Sequence, residues 1–156
     1  MKPTDYLALS IATCGVGYLP LMPGTFGSLV GVGIFLLLAR LTMGAAWVAA
    51  VIVVVTLAGI WAGSRIEQLS GRKDPGKVVV DEVAGQLIAL FPLTLLAHWS
   101  TGLVILSFIL FRFFDIVKPY PANRLQELDG GIGIMFDDLV AGVYGALVVL
   151  ILSRVF

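Results

Sequence analysis

Cysteine and histidine are nearly absent from this chain, which has Cys14 and His98 and no others. One thiol excludes an intramolecular disulfide and a zinc site built from several thiolates. Charge is also scarce. Asp, Glu, Lys and Arg make up 13% of the 156 residues and cancel to a formal net charge of zero, so no basic field exists to draw in nucleic acid, which is discarded as a partner. No Gly-Lys-Ser/Thr follows a glycine-rich loop, which removes a Walker-type nucleotide site. The N-terminus has neither a strongly basic start nor a small-x-small cleavage signal before Gly15, so it reads as a retained helix lying in a membrane interface.

What is abundant is apolar surface: 59% of residues are hydrophobic and the mean hydropathy is +1.02, far from the balance of a soluble domain. The sequence predicts one all-α domain over residues 1–156, a polytopic membrane bundle of about five short transmembrane helices. Met43 to Gly63 carries no charge and is the clearest span; Leu139 to Ser153, with Ile134 to Phe136 before it, makes the last. Ser28 to Ala39, Val83 to Ala97 and Thr101 to Phe111 are shorter and must borrow polar flanks or sit in thinned bilayer. Pro92 is expected to kink the third. Arg65, Arg72, Lys73 and Lys77 follow the second span, and Lys118 and Arg124 follow the fourth, whereas the other turns are nearly bare. By the positive-inside tendency the two basic loops and the N-terminus face the cytoplasm, together with residues 15–28.

Carboxylates stand at the mouths of these apolar helices: Asp81 and Glu82 open the third span, Asp115 closes the fourth, and Asp137 and Asp138 open the fifth. An ionisable group at mid-bilayer costs about 2.5 to 3.5 kcal/mol on insertion scales, and less near the interface, so a cluster of five needs a compensating partner. Mg²⁺, which takes carboxylate oxygens and shares its remaining positions with water and phosphate, suits that need. The competing explanation is that the acids merely cap helix N-termini. Asp81 and Asp138 are each followed four residues on by a glycine, Gly85 and Gly142, with alanine just before it. Small residues on one helix face let membrane helices approach closely, so these stripes are expected to bring the two acids together. Upstream, residues 20–28 (PLMPGTFGS) read as a non-helical loop whose amides around Gly24 and Gly27, with the hydroxyls of Thr25 and Ser28, could cradle a phosphate; an ordinary turn capped by Ser28 fits as well. Arg112 and Lys118 are candidates to hold phosphate oxygens, with positive-inside anchoring as the alternative for Lys118.

A cysteine phosphatase needs an arginine six residues after its nucleophile, and Pro20 holds that place after Cys14. His98 lies in a predicted turn away from the acids, and no Asp-x-Asp occurs. Water activated by a metal, or attack by one of the clustered carboxylates, remains. A lipid phosphotransferase acting on nucleotide-activated diacylglycerol is an alternative, but its Asp-Gly-x-x-Ala-Arg opening is missing; a small ion transporter is another, at odds with acids gathered at one side.

Three ordered motifs, GVGYLPLMPGTFGS at 15–28, VVVDEVAG at 78–85, and FRFFDIVKPYP with GGIGIMFDDLVAG between 111 and 142, resemble the phosphatidylglycerophosphatase A family of bacterial membrane phosphatases. The resemblance spans most of the chain. It implies Mg²⁺-dependent hydrolysis of phosphatidylglycerophosphate at the inner membrane, with Asp81, Glu82, Asp115, Lys118, Asp137 and Asp138 in the site. Mg²⁺ held by Asp81, Glu82, Asp137 and Asp138 is the expectation carried forward, with Gly24, Thr25, Gly27, Ser28, Arg112 and Lys118 facing the phosphate.

Overall fold

A computed structural model describes residues 2–154, and among them the chain is helical with no strand. Helix α1 (Pro3–Thr13) begins with Pro3, whose missing N–H costs nothing in a first turn, and the Lys2 amide donates to the Asp5 carboxylate at 2.7 Å. Ala8 and Ala12 turn inward while Tyr6 and Leu7 face out. This is the N-terminal helix expected from the sequence. It is pinned to α3 (Ala45–Ser70) by the Arg65 guanidinium, which donates to Asp5 at 2.7 and 2.8 Å.

Helix α2 (Pro23–Arg40) corrects the reading of residues 20–28 as a non-helical loop. Pro23 starts the helix in the position that tolerates proline, and Gly24, Gly27 and Ser28 already belong to its first two turns. Helix α4 (Val80–Leu90) has only 11 residues, about 16 Å at 1.5 Å per residue, and does not run on to Ala97 as expected. Pro92 does not kink it. The α-helix ends at Leu90, and Phe91–Leu95 continue as a 3-10 segment. Helix α5 (Thr101–Val117) is capped by Ser100, whose hydroxyl accepts from the Leu103 amide, and a short α6 (Ala122–Leu125) leads into α7 (Gly130–Leu152).

Helix α4 is the hub, with α2, α3, α5 and α7 packed around it. Nine of its 11 residues are buried, so it presents little to its surroundings. The outer helices do the reverse: Val53, Val54, Leu57, Ile105, Ile109, Leu147 and Ile151 form an exposed apolar belt, as a lipid-facing surface requires. Among the described residues three helices, α2, α3 and α7, are long and apolar enough to cross a membrane. At 17 residues α5 lies at the lower length limit for a span, and α4 alone is below it.

Close approach is achieved through glycine. A Cβ at Gly142 would overlap the Gly85 carbonyl, one at Gly145 would press on the Ala89 methyl at 3.2 Å, and one at Gly131 would collide with the Ile60 carbonyl. Backbone therefore meets backbone where α7 crosses α4 and α3, the geometry that small residues permit in membrane bundles.

Candidate active site

The two acid-bearing helices deliver their carboxylates differently. Asp81 and Glu82 lie in the first turn of α4, where unpaired amides and the helix dipole favour negative charge. Asp137 and Asp138 were expected at a helix mouth, but α7 starts at Gly130, so they lie two turns inside it and cannot be its caps. That role is filled from α3: the Gly130 amide donates to the Glu67 carboxylate at 3.1 Å and the Gly131 amide to the Ser64 hydroxyl at 2.8 Å. Capping therefore does not account for the second acid pair.

Gly85 and Gly142 bring α4 and α7 together so closely that one oxygen each of Asp81, Glu82 and Asp138 falls within 4.8 Å of the others. Asp81 and Asp138 are 7% and 2% exposed, which removes most of the water that would otherwise stabilise two adjacent carboxylates. Asp81 Oδ1, Glu82 Oε2, Asp137 Oδ1 and Asp138 Oδ2 are buried without a hydrogen-bond partner. Asp115, from the last turn of α5, neighbours both Glu82 and Asp138 and is bonded to Arg112 on its own helix. Lys118, which ends α5 in a left-handed conformation (φ 45°), reaches across to bond Asp137. Burial opposes the Lys118 charge, but the bond to Asp137 and the nearby Asp138 and Asp115 carboxylates outweigh it and raise its pKa above that of an ordinary lysine.

Five helix-borne carboxylates thus face Arg112 and Lys118, and one oxygen each of Asp81, Glu82 and Asp138 lie close enough together to share one cation. An all-oxygen, carboxylate-rich set of this kind fits a hard divalent cation such as Mg²⁺.

The expected phosphate-binding residues are only partly assembled. Gly24 lies against the Glu82 carboxylate and the Arg112 guanidinium, and Thr25 beside it is half-buried at the start of α2. Gly27 and Ser28 are not available to a phosphate. Gly27 packs on Val79 and the Glu82 stem, and the fully buried Ser28 hydroxyl donates to the Gly24 carbonyl at 2.9 Å. Cys14 follows α1, and burial first, then the Glu82 charge, push its thiol up to about 11, the reverse of what an attacking thiolate needs. His98 lines a cavity with Leu96, Trp99 and Leu103 beyond the far end of α4 from Asp81.

Sequence reasoning passed over three side chains. Ser64 and Glu67 fix the start of α7, and their only signal was a hydroxyl and an acid one helical turn apart at the end of an apolar span. Gln86 is wholly buried one turn below Glu82, with neither of its amide atoms paired, and its signal was an uncharged polar residue inside VVVDEVAGQLIAL.

Comparison with known proteins places the chain in a family. Residues 10–153 match the Phosphatidylglycerophosphatase A family. A protein of Bacteroides thetaiotaomicron provisionally named a phosphatidylinositol-3-phosphatase is 40% identical over 153 residues, covering 96% of this chain and 95% of its own. The phosphatidylglycerophosphatases A of Haemophilus influenzae and Escherichia coli are 34% and 33% identical, covering 96% and 85% of this chain and 88% and 74% of their own. No solved structure matches significantly. With its matched stretch taking in all five clustered acids, the chain belongs to the phosphatidylglycerophosphatase A family.

Proposed function

We propose that this protein is a Mg²⁺-dependent membrane phosphatase that hydrolyses phosphatidylglycerophosphate to phosphatidylglycerol and inorganic phosphate. The observation that carries the reading is the buried meeting of Asp81, Glu82 and Asp138 with unpaired oxygens. The names of two relatives supply the substrate. Mg²⁺, when bound, supplies Lewis-acid charge for the phosphoryl group and acidity for the attacking water.

The chain's own residues do the rest. Asp81, Glu82 and Asp138 hold the cation, with Asp137 at its edge orienting Lys118. Arg112 offers a planar fork and Lys118 a compact charge to the phosphoryl oxygens, each turning from the carboxylate it now bonds toward the incoming anion. Gly24 and Thr25, at the start of α2 beside Arg112, add backbone donors near the positive end of that helix. Water attacks phosphorus in line with the departing headgroup oxygen, and the acyl tails stay in lipid against the apolar belt.

The chain crosses the bacterial inner membrane five times in this reading, with α4 and its 3-10 extension as the third pass and the acids on the cytoplasmic side. Arg65, Arg72, Lys73, Lys77, Lys118 and Arg124 support that orientation. So does Lys73, which bonds the Glu127 carbonyl and pairs with Asp129, joining the two basic connections at one face.

A second reading, a phosphatase of phosphorylated inositol lipid, is favoured by the 40% identical relative. Both substrates present a phosphate monoester on a lipid headgroup. Phosphate release from detergent-solubilised protein, with each lipid in turn, separates them. Release from phosphatidylglycerophosphate, abolished by EDTA and restored by Mg²⁺, is expected. Preference for phosphatidylinositol-3-phosphate replaces the substrate, and release unaffected by EDTA overturns the cation.

A further inference from the structure

We infer that Gln86 is a positioning residue for Glu82: when the acidic site holds its cation, the buried carboxamide hydrogen-bonds the Glu82 carboxylate and fixes which oxygen faces the ion. This rests on the cation reading above.

Gln86 is 0% exposed, and neither its amide oxygen nor its amide nitrogen has a partner. A primary amide brings two donors and an acceptor, and leaving all of them unpaired in an apolar interior is costly. Glu82 has the complementary deficit, an acceptor oxygen, Oε2, buried and unpaired. The two residues are four apart on α4, neighbours on one helix face, a spacing at which side-chain amides and carboxylates pair.

The packing of α2 keeps that face clear. Gly24 lies against the Glu82 carboxylate, Gly27 against the Glu82 stem, and Gly31 against Cβ and Cγ of Gln86. Where α2 covers this stripe at those three positions it presents backbone, with no side chain to stand between the carboxamide and the carboxylate. On the neighbouring face Gly85 takes the Asp138 backbone of α7 and the Phe111 ring at contact distance. A carboxylate that binds a cation through one oxygen needs its other oxygen satisfied, and such outer partners set both ligand orientation and metal affinity.

The test is titration of Mn²⁺, followed by its paramagnetic resonance, into substrate-free protein in detergent, for wild type, Gln86→Met, Glu82→Gln and the double variant. Thermal midpoints are measured alongside, without added cation. Gln86→Met is expected to weaken Mn²⁺ binding about 10- to 100-fold. Its midpoint should hold or rise, because an apolar side chain of similar volume replaces an unpaired amide. In the Glu82→Gln background the same change is expected to cost nothing further. Unchanged Mn²⁺ affinity in Gln86→Met, or an equal loss with and without Glu82, overturns the inference while leaving the cation site standing. Absence of Mn²⁺ binding by wild type overturns the cation reading itself, and this inference with it. If Gln86→Met does not fold, Gln86→Asn, which withdraws the amide by one methylene, takes its place: weakened binding supports the role and wild-type affinity ends it.

Discussion

Helices α3 and α4 solve opposite problems with opposite sequences. The 26 residues of α3 expose Val53, Val54, Leu57 and Trp61 to the surroundings and bury only a narrow strip that includes Gly59, Ala62 and Gly63. The 11 residues of α4 are almost wholly enclosed, and that enclosure lets carboxylates sit at its head. A lipid-facing helix could not carry them at such depth without paired charges or water. The longest helix thus faces the lipid and one of the shortest holds the chemistry, each made possible by the other.

The sharpest way to break this contrast is to remove charge from the enclosed cluster. Asp138→Asn or Asp81→Asn should lower phosphate release by more than about a thousandfold, since a direct ligand matters more than the outer partners worth 10- to 100-fold. Each should remain folded by circular dichroism and gel filtration in detergent, and near-normal turnover in either variant would remove its role. A smaller effect is expected from prying the helices apart. Gly142→Val forces a side chain onto the Gly85 backbone and should cost about 1 to 3 kcal/mol of stability, read as a lower thermal midpoint, along with much of the activity. Gly33→Ala, at an exposed α2 position where a Cβ meets nothing within 4 Å, should hold or raise the midpoint. Equal losses at both sites would mean that close approach is not what Gly142 provides. Least affected should be Cys14→Ser, expected to leave turnover within about twofold, because a thiol raised to about 11 is neither nucleophile nor ligand at neutral pH.

These contrasts show which features the sequence made legible. Asp81, Glu82, Asp115, Asp137 and Asp138 stood out because charge beside apolar helices needs a reason, and the Ala-Gly spacing pointed to where α4 and α7 touch. The start of α2 did not stand out: Pro23, Gly24 and Gly27 carry the local signature of a loop, yet Pro23 suits a first helical turn and the two glycines serve contact with Glu82 and Val79. The end of α4 was hidden similarly, because hydropathy continues smoothly from Val83 to Ala97 while the backbone changes at Leu90. Gln86 was overlooked because one amide in an apolar run is a weak signal until its surroundings are known to be dry.

The bonds from Ser64 and Glu67 to the first amides of α7 have a mechanical consequence. They yoke α3, with its exposed apolar face, to the helix bearing Asp137 and Asp138, so a lipid sheet that leans α3 over would swing those acids with it. Hydrocarbon thickness, which sets helix lean, then becomes a quantity this enzyme can feel. Reconstitution into vesicles of graded chain length should trace turnover as a peaked curve, and a flat one would show that the yoke transmits nothing.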